Sequence, residues 1–175
     1  GRASPAVRPK RSLSQNFLVD PSVLETIVAE AAVEPGRQIL EIGPGTGALT
    51  AALLEAGGAV TAVELDRRLV PWLQERFGKA LRLARRRPGA PGGLVLVEAD
   101  VLDVDLTGFV EPPFDVVANL PYHITSPILH RLLGEAPRPE RLVLMVQREV
   151  AERIAALPGS MSYLSVFVQY HARTR

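Results

Sequence analysis

Cysteine is absent from the 175 residues. That excludes a disulfide framework, a thiolate zinc site and a cysteine nucleophile, and makes a reducing, cytoplasmic setting the simpler reading. Aromatic residues are few, at 5%, and lysine is scarcer still, with Lys10 and Lys79 against eighteen arginines. The arginine excess suits GC-rich coding or a hot habitat. Long apolar runs are missing too. The uncharged stretches are broken by Gly, Pro or Asn before they reach a bilayer-spanning length, so no transmembrane helix is expected. What remains, 47% hydrophobic and 22% charged residues, is the make-up of one globular domain large enough to bury a core.

Charge of one sign is missing from whole segments, although the net charge is only +1. Residues 1–11 carry Arg2, Arg8, Lys10 and Arg11 with no acid. Lys79, Arg82, Arg85, Arg86 and Arg87 form a second basic run, whereas 88–120 holds only acids: Glu98, Asp100, Asp103, Asp105, Glu111 and Asp115. Such sorting can set a nucleic-acid face beside a differently charged pocket; the plainer alternative is a solvated helix end and a tail. Lys10, Arg11, Arg85, Arg86 and Arg87 are assigned to phosphate contacts, which position a nucleic acid without reading it. The basic start also reads as the remnant of an organellar transit peptide, though it lacks the apolar core of a secretory signal.

Hydrophobic periodicity alternates between short apolar runs and helical stripes. A capped helix is expected from Pro21, after Asp20, to about Ala32, with Val23, Leu24, Ile27, Val28 and Ala31 inward. Strands are expected at 38–42, 59–64, 94–98, 114–118 and 141–146, and 163–170 reads as a further strand. Helices are expected at 48–56, closed by Gly57 and Gly58, along the stripe Leu65, Leu69, Leu73, Phe77 and Leu81, from Thr125 or Ser126, and over 148–157. This spacing means βαβ units: an α/β fold with a mostly parallel sheet and helices on both faces. A single domain over 1–175 is expected, acting as a monomer.

Gly43-Pro-Gly-Thr-Gly47 lies between a strand and a helix, where a glycine turn lets a ligand approach backbone N–H groups. Gly43, Gly45 and Ala48 fill the three small positions of the loose dinucleotide pattern. Glu64 ends the next strand, placed to accept hydrogen bonds from ribose hydroxyls. An adenosine-bearing cofactor follows, and at this point NAD and S-adenosylmethionine both fit. Asp100, after the third strand, can accept from the exocyclic amine of adenine. Asn119-Leu-Pro-Tyr122 ends the fourth strand, where open α/β sheets place reacting groups. The Asn119 side chain and a nearby main-chain carbonyl can hold an exocyclic amine with its lone pair toward an electrophilic methyl. Tyr122 offers a stacking face to a base taken out of its helix. His123, His130 and His171 are too scattered for a metal site, and no metal is expected. Ser126 and Ser160 lack a His/Asp partner pattern, and Trp72 reads as packing.

Asn119-Leu-Pro-Tyr122, Glu41-Ile-Gly-Pro-Gly-Thr-Gly47, Gln15-Asn-Phe-Leu18, the stretch 145–152 and the stretch 158–166 together resemble the ribosomal RNA adenine N6,N6-dimethyltransferase family, from about Lys10 onward. The chain differs by an Arg-rich insertion near 79–93, by Ser14 where glycine is common, and by Leu164 after Tyr163 where glycine is usual. The resemblance implies a Rossmann-like S-adenosylmethionine-dependent methyltransferase fold. It implies that Gln15, Asn16, Leu18, Gly43, Gly45, Glu64, Asp100 and Asn119 serve the cofactor, and that Asn119, Leu120, Pro121 and Tyr122 hold the target base. The implied substrate is two adjacent adenines near the 3′ end of small-subunit ribosomal RNA, met on the small ribosomal subunit during its biogenesis. The alternatives are a large-subunit adenine N6-methyltransferase of the macrolide-resistance type, an NAD-dependent oxidoreductase, which leaves Asn119 to Tyr122 unexplained, and a non-enzymatic RNA-binding scaffold. Family members continue with a closing strand and a small helical domain, so a missing C-terminal part is expected.

Overall fold

The computed structural model describes residues 20–175. Asp20 caps α1 (Pro21–Ala31): its carboxylate accepts from the Ser22 amide at 2.9 Å, and Pro21 stands in the first turn, where no amide donor is needed. Strands and helices then follow as β1 (Gln38–Ile42), α2 (Ala48–Glu55), β2 (Ala59–Glu64), α3 (Val70–Arg76), α4 (Gly78–Arg86), β3 (Leu94–Glu98), β4 (Phe114–Asn119), α5 (Thr125–Gly134), β5 (Arg141–Met145), α6 (Arg148–Ile154) and α7 (Tyr163–His171). The five strands form one sheet in the order β3-β2-β1-β4-β5, and every pairing is parallel. The chain builds outward from β1 to β3, then crosses to the other side of β1 for β4 and β5. Strand order therefore reverses between β1 and β4, where such sheets open a crevice at the strands' C-terminal ends.

Helices cover both faces, so the strands read as near-continuous apolar runs. On one face Ile39, Val60, Ala62, Leu94 and Val117 meet Ile27 and Ala31 of α1, Leu49 and Leu53 of α2, and Ala80 and Leu81 of α4. On the other, Leu40, Ile42, Val63, Phe114, Val116 and Ala118 pack on Ile128 and Leu132 of α5 and on the 101–110 connection. The N-terminal end of the sheet is tied by Arg37, whose guanidinium reaches both oxygens of buried Asp115 at 2.9 and 2.7 Å and also bonds Glu140.

Three sequence expectations need correction. Residues 163–170 form helix α7, not a strand. Their β-branched and aromatic side chains suit either state, but Ser162 and Ser165 make a capping box, and Leu164 and Val168, four apart, pack on Leu129 and Leu133 of α5. The single stripe from Leu65 to Leu81 is two helices, broken at Phe77; Leu65 precedes both and is 52% exposed. The break lets the Phe77 ring lie on the loop before α2, where a Cβ on Gly47 would stand 2.5 Å from it. α6 ends at Ile154, short of 157. No described helix is long and apolar enough to cross a membrane.

Candidate functional site

The loop from β1 to α2 turns through Gly43, Gly45 and Gly47, all with positive φ (67°, 59° and 82°), which side chains on L-residues rarely adopt. Two ties hold its start and end: the Gly43 amide donates to the Val63 carbonyl at 2.9 Å and the Gly47 amide to Pro44 at 2.8 Å. No atom lies within 4 Å of where a Cβ on Gly43 would point. The loop thus leaves a cradle that only glycine keeps open, at the mouth of the crevice.

Glu64, at the end of β2, is 4% exposed. Its Oε2 accepts from the Gly45 amide at 3.0 Å and its Oε1 from the Asp66 amide at 2.8 Å. Burial pushes its pKa up, and these two amides oppose the rise. Each oxygen keeps a further lone pair, so the carboxylate can brace the glycine loop and still accept from a ligand. Across the crevice, Asp100 follows β3, and its Oδ1 accepts from the Leu102 amide at 2.8 Å. The crevice is lined by Ile42, Gly43 and Gly45 from the loop side, by Val63 to Asp66, by Ala99 to Leu102, and by Asn119, Leu120, Pro121, His123 and Ile124. Acidic acceptors at its rim and apolar walls between them fit an adenosine: a flat ring between side chains, with ribose and amine donors at either end.

Of the sequence-predicted residues, Gly43, Gly45, Glu64, Asp100, Asn119, Leu120 and Pro121 come together there. Tyr122 opens a short 3-10 turn at the rim and is 53% exposed, outside the lining, with its ring surface available. Lys10, Arg11, Gln15, Asn16 and Leu18 lie outside the described residues. Arg85, Arg86 and Arg87 are not at the crevice: Arg85 and Arg86 end α4 and Arg87 follows it, on the connection to β3.

Other residues at the site escaped the sequence reading. Asp66 lines the crevice, 6% exposed, and is clamped by Arg68, whose amide and Nε donate to Oδ1 at 3.0 and 2.9 Å. Trp72 and Arg76 of α3 both donate to the Thr46 carbonyl in the glycine loop, at 3.2 and 2.5 Å. Arg131 of α5 donates to the carbonyls of Leu102 and Val104, holding the connection that carries Asp100. Glu41, one position before Ile42, is 1% exposed and points to the α2 side of the sheet, where neither oxygen makes a hydrogen bond of good geometry among the described residues. Burial pushes its pKa up to about 8; Thr50 of α2 pulls against the rise, and Glu64 adds to it. His130 stacks with Tyr163 and Phe167 between α5 and α7, away from the crevice.

The comparisons agree with this geometry. A family profile described as ribosomal RNA adenine dimethylase matches residues 6–175. Ribosomal RNA small subunit methyltransferase A of Geobacter sulfurreducens is 47% identical over 171 residues, covering 94% of this chain and 58% of the relative. The protein of the same name from Magnetococcus marinus is 46% identical, covering 92% and 55%. The chain therefore spans little more than half the length of these relatives. A dimethyladenosine transferase from Plasmodium falciparum superposes with a TM-score of 0.69 at 30% identity, over 88% of this chain and 52% of that one. The 23S rRNA methyltransferase ErmE follows with a TM-score of 0.62 at 33% identity, over 79% and 50%. With the profile running across nearly all of the sequence and through the crevice it builds, this chain belongs to the ribosomal RNA adenine dimethylase family.

Proposed function

We propose that this chain is the cofactor-binding and catalytic part of an S-adenosylmethionine-dependent methyltransferase acting on N6 of two adjacent adenines near the 3′ end of small-subunit ribosomal RNA. The observation that carries the reading is the position of Asn119 to Pro121. They line the same crevice as the glycine loop, Glu64 and Asp100, so a target amine and a bound adenosine cofactor would share one enclosure. When bound, S-adenosylmethionine supplies an electrophilic methyl on a sulfonium.

Gly43 and Gly45 keep room for the cofactor's backbone contacts, Glu64 takes the ribose hydroxyls and Asp100 the adenine amine. The Pro121 carbonyl already accepts from the Ile124 amide and the Thr125 hydroxyl, at 3.3 and 3.0 Å. The Leu120 carbonyl accepts no such bond among the described residues. Asn119 and that Leu120 carbonyl are thus the pair assigned to the two N–H groups of the target amine. Accepting both turns the nitrogen lone pair out of conjugation with the ring and toward the methyl. Tyr122, exposed at the rim, stacks on the flipped base. Relatives named for the small subunit, at 46–47% identity, favour that substrate over the large-subunit alternative.

The test is transfer of radiolabelled methyl groups to undermethylated small ribosomal subunits, with large subunits as the control. Transfer confined to the small subunit is expected. In the same assay Tyr122→Ala should leave cofactor affinity near its starting value while transfer falls by roughly ten- to a hundredfold, since base–aromatic stacking is worth about 1–3 kcal/mol. Parallel loss of both would make Tyr122 a structural residue.

A further inference from the structure

The basic helix α4 is not used by the crevice. Ala80, Leu81 and Ala84 face the sheet, which leaves Lys79, Arg82 and Arg86, spaced three and four apart, with Arg85 beside them, on the outward side. Arg87 follows the last turn. Between Glu75 and Glu98 the chain has no acid, and none of these five cations forms an ion pair with another described residue. Arg82 and Arg85 border a groove with Gln74, Gly78, Leu81 and Leu96, next to the open edge of β3. Arg82 lies over Gly78, where a Cβ would stand 3.3 Å from its Nη1.

Helix stability does not account for this arrangement. Cations complement a helix dipole in the last turn, which covers Arg85 and Arg86, but Lys79 sits in the first turn, where they do the opposite. Arg82 and Arg86 are a like-charge pair one turn apart, which costs a helix a few tenths of a kcal/mol. Helix stability thus accounts for Arg85 and Arg86 in the last turn but not for Lys79 or for the Arg82–Arg86 pairing.

Its location is the second observation. The loop after α4 leads into the N-terminal end of β3: the Gly92 amide donates to the Gly58 carbonyl and the Val60 amide to Gly93. The crevice lies at the other end of the strands. Five strand residues span roughly 16 Å, and none of Arg85, Arg86 and Arg87 lines the crevice, so their contact is set apart from the base being modified.

We propose that the last turn of α4, Arg85 and Arg86 with Arg87 after it, is a second RNA-phosphate contact, on the side of α4 away from the crevice loop, and that the substrate RNA runs past the β3 edge to reach both. The inference rests on the reading of the substrate as ribosomal RNA. Exposed arginines without partners meet phosphates as charged donors and carry no base readout, so this contact anchors the RNA while the crevice selects the base.

The experiment uses the whole protein, the combined variant Arg85→Ala, Arg86→Ala, Arg87→Ala, and the charge-keeping variant with lysine at the same three positions. Affinity for protein-free small-subunit RNA is measured across a salt series, together with kcat and KM for methyl transfer and S-adenosylmethionine affinity. In the alanine variant the log-affinity versus log-salt slope should flatten by about 2–3, at about 0.7–0.9 for each phosphate no longer neutralised. KM for RNA should rise with kcat and cofactor affinity unchanged, and the lysine variant should restore slope and KM. An alanine variant that folds, methylates and keeps the parent slope and KM would overturn the inference and return α4 to a solvated face or a protein-docking one. A parent protein that transfers no methyl to small subunits would instead overturn the proposed function, which keeps the two failures apart.

Discussion

The Glu64 carboxylate accepts from the amides of Gly45 and Asp66, so removing it takes away the proposed ribose acceptor and a loop brace together. A charge-assisted hydrogen bond of this kind contributes about 1.5–3 kcal/mol. Glu64→Ala should therefore weaken S-adenosylmethionine binding roughly ten- to a hundredfold, read by calorimetry; an unchanged affinity would remove Glu64 from the site. Glu41 behaves differently because it is buried with no hydrogen bond of good geometry among the described residues. Its pKa is raised from the ordinary 4.5 to about 8, so the folded chain keeps a proton that the unfolded chain releases near pH 4.5. Between those two values the unfolded state binds fewer protons, and stability must fall as pH rises through that window. The expected result is a melting temperature that declines from about pH 5 to about pH 8 in the parent chain and stays flatter in Glu41→Gln. Parallel curves would mean that the carboxyl is not protonated in the fold. Glu64 closes its strand run whereas Glu41 sits one place inside its own, before Ile42, and only the sheet shows that Glu41 faces the packed underside of α2.

At the scale of elements, the strands and the glycine loop are legible because their patterns are local. An apolar run such as 38–42 followed by glycines admits few other readings. The 163–170 segment is not legible in that way. Its residues suit a strand by type, and the deciding features are a cap at Ser162 and a partner helix, α5, some thirty residues earlier. The break at Phe77 is hidden for a related reason: the ring's place against Gly47 depends on two elements meeting in space. Arg131 is a further reach of this kind, since its bonds to Leu102 and Val104 cross 29 and 27 positions. Its removal leaves two carbonyls without their donor, at a cost of about 1–3 kcal/mol for a buried group. Arg131→Ala should therefore raise amide hydrogen exchange over 101–105 and lower cofactor affinity, while α5 itself stays protected. If α5 became unprotected as well, Arg131 would be holding the helix and not the Asp100 connection.

Across the described residues, the two proposed kinds of recognition are separated along the strand direction. The C-terminal end of the sheet gathers acceptors, Glu64, Asp66, Asp100 and Asn119, in a crevice with apolar walls. Outside the crevice, the last turn of α4 presents Arg85 and Arg86 along the β3 edge. Contacts in the crevice are short and sheltered, so mobile ions screen them weakly, whereas exposed cations on a polyanion act through released counterions. The two affinities should then respond to salt independently. Raising salt from about 50 to about 200 mM should leave S-adenosylmethionine affinity within about twofold, while RNA affinity falls by about two orders of magnitude when each of the five cations on and after α4 neutralises one phosphate. Calorimetry for the cofactor and fluorescence anisotropy for the RNA, on the same preparation, give both curves. A cofactor affinity that fell in step with the RNA curve would mean that the crevice depends on exposed charge, and the division between a base-selecting end and a phosphate-holding end would not stand.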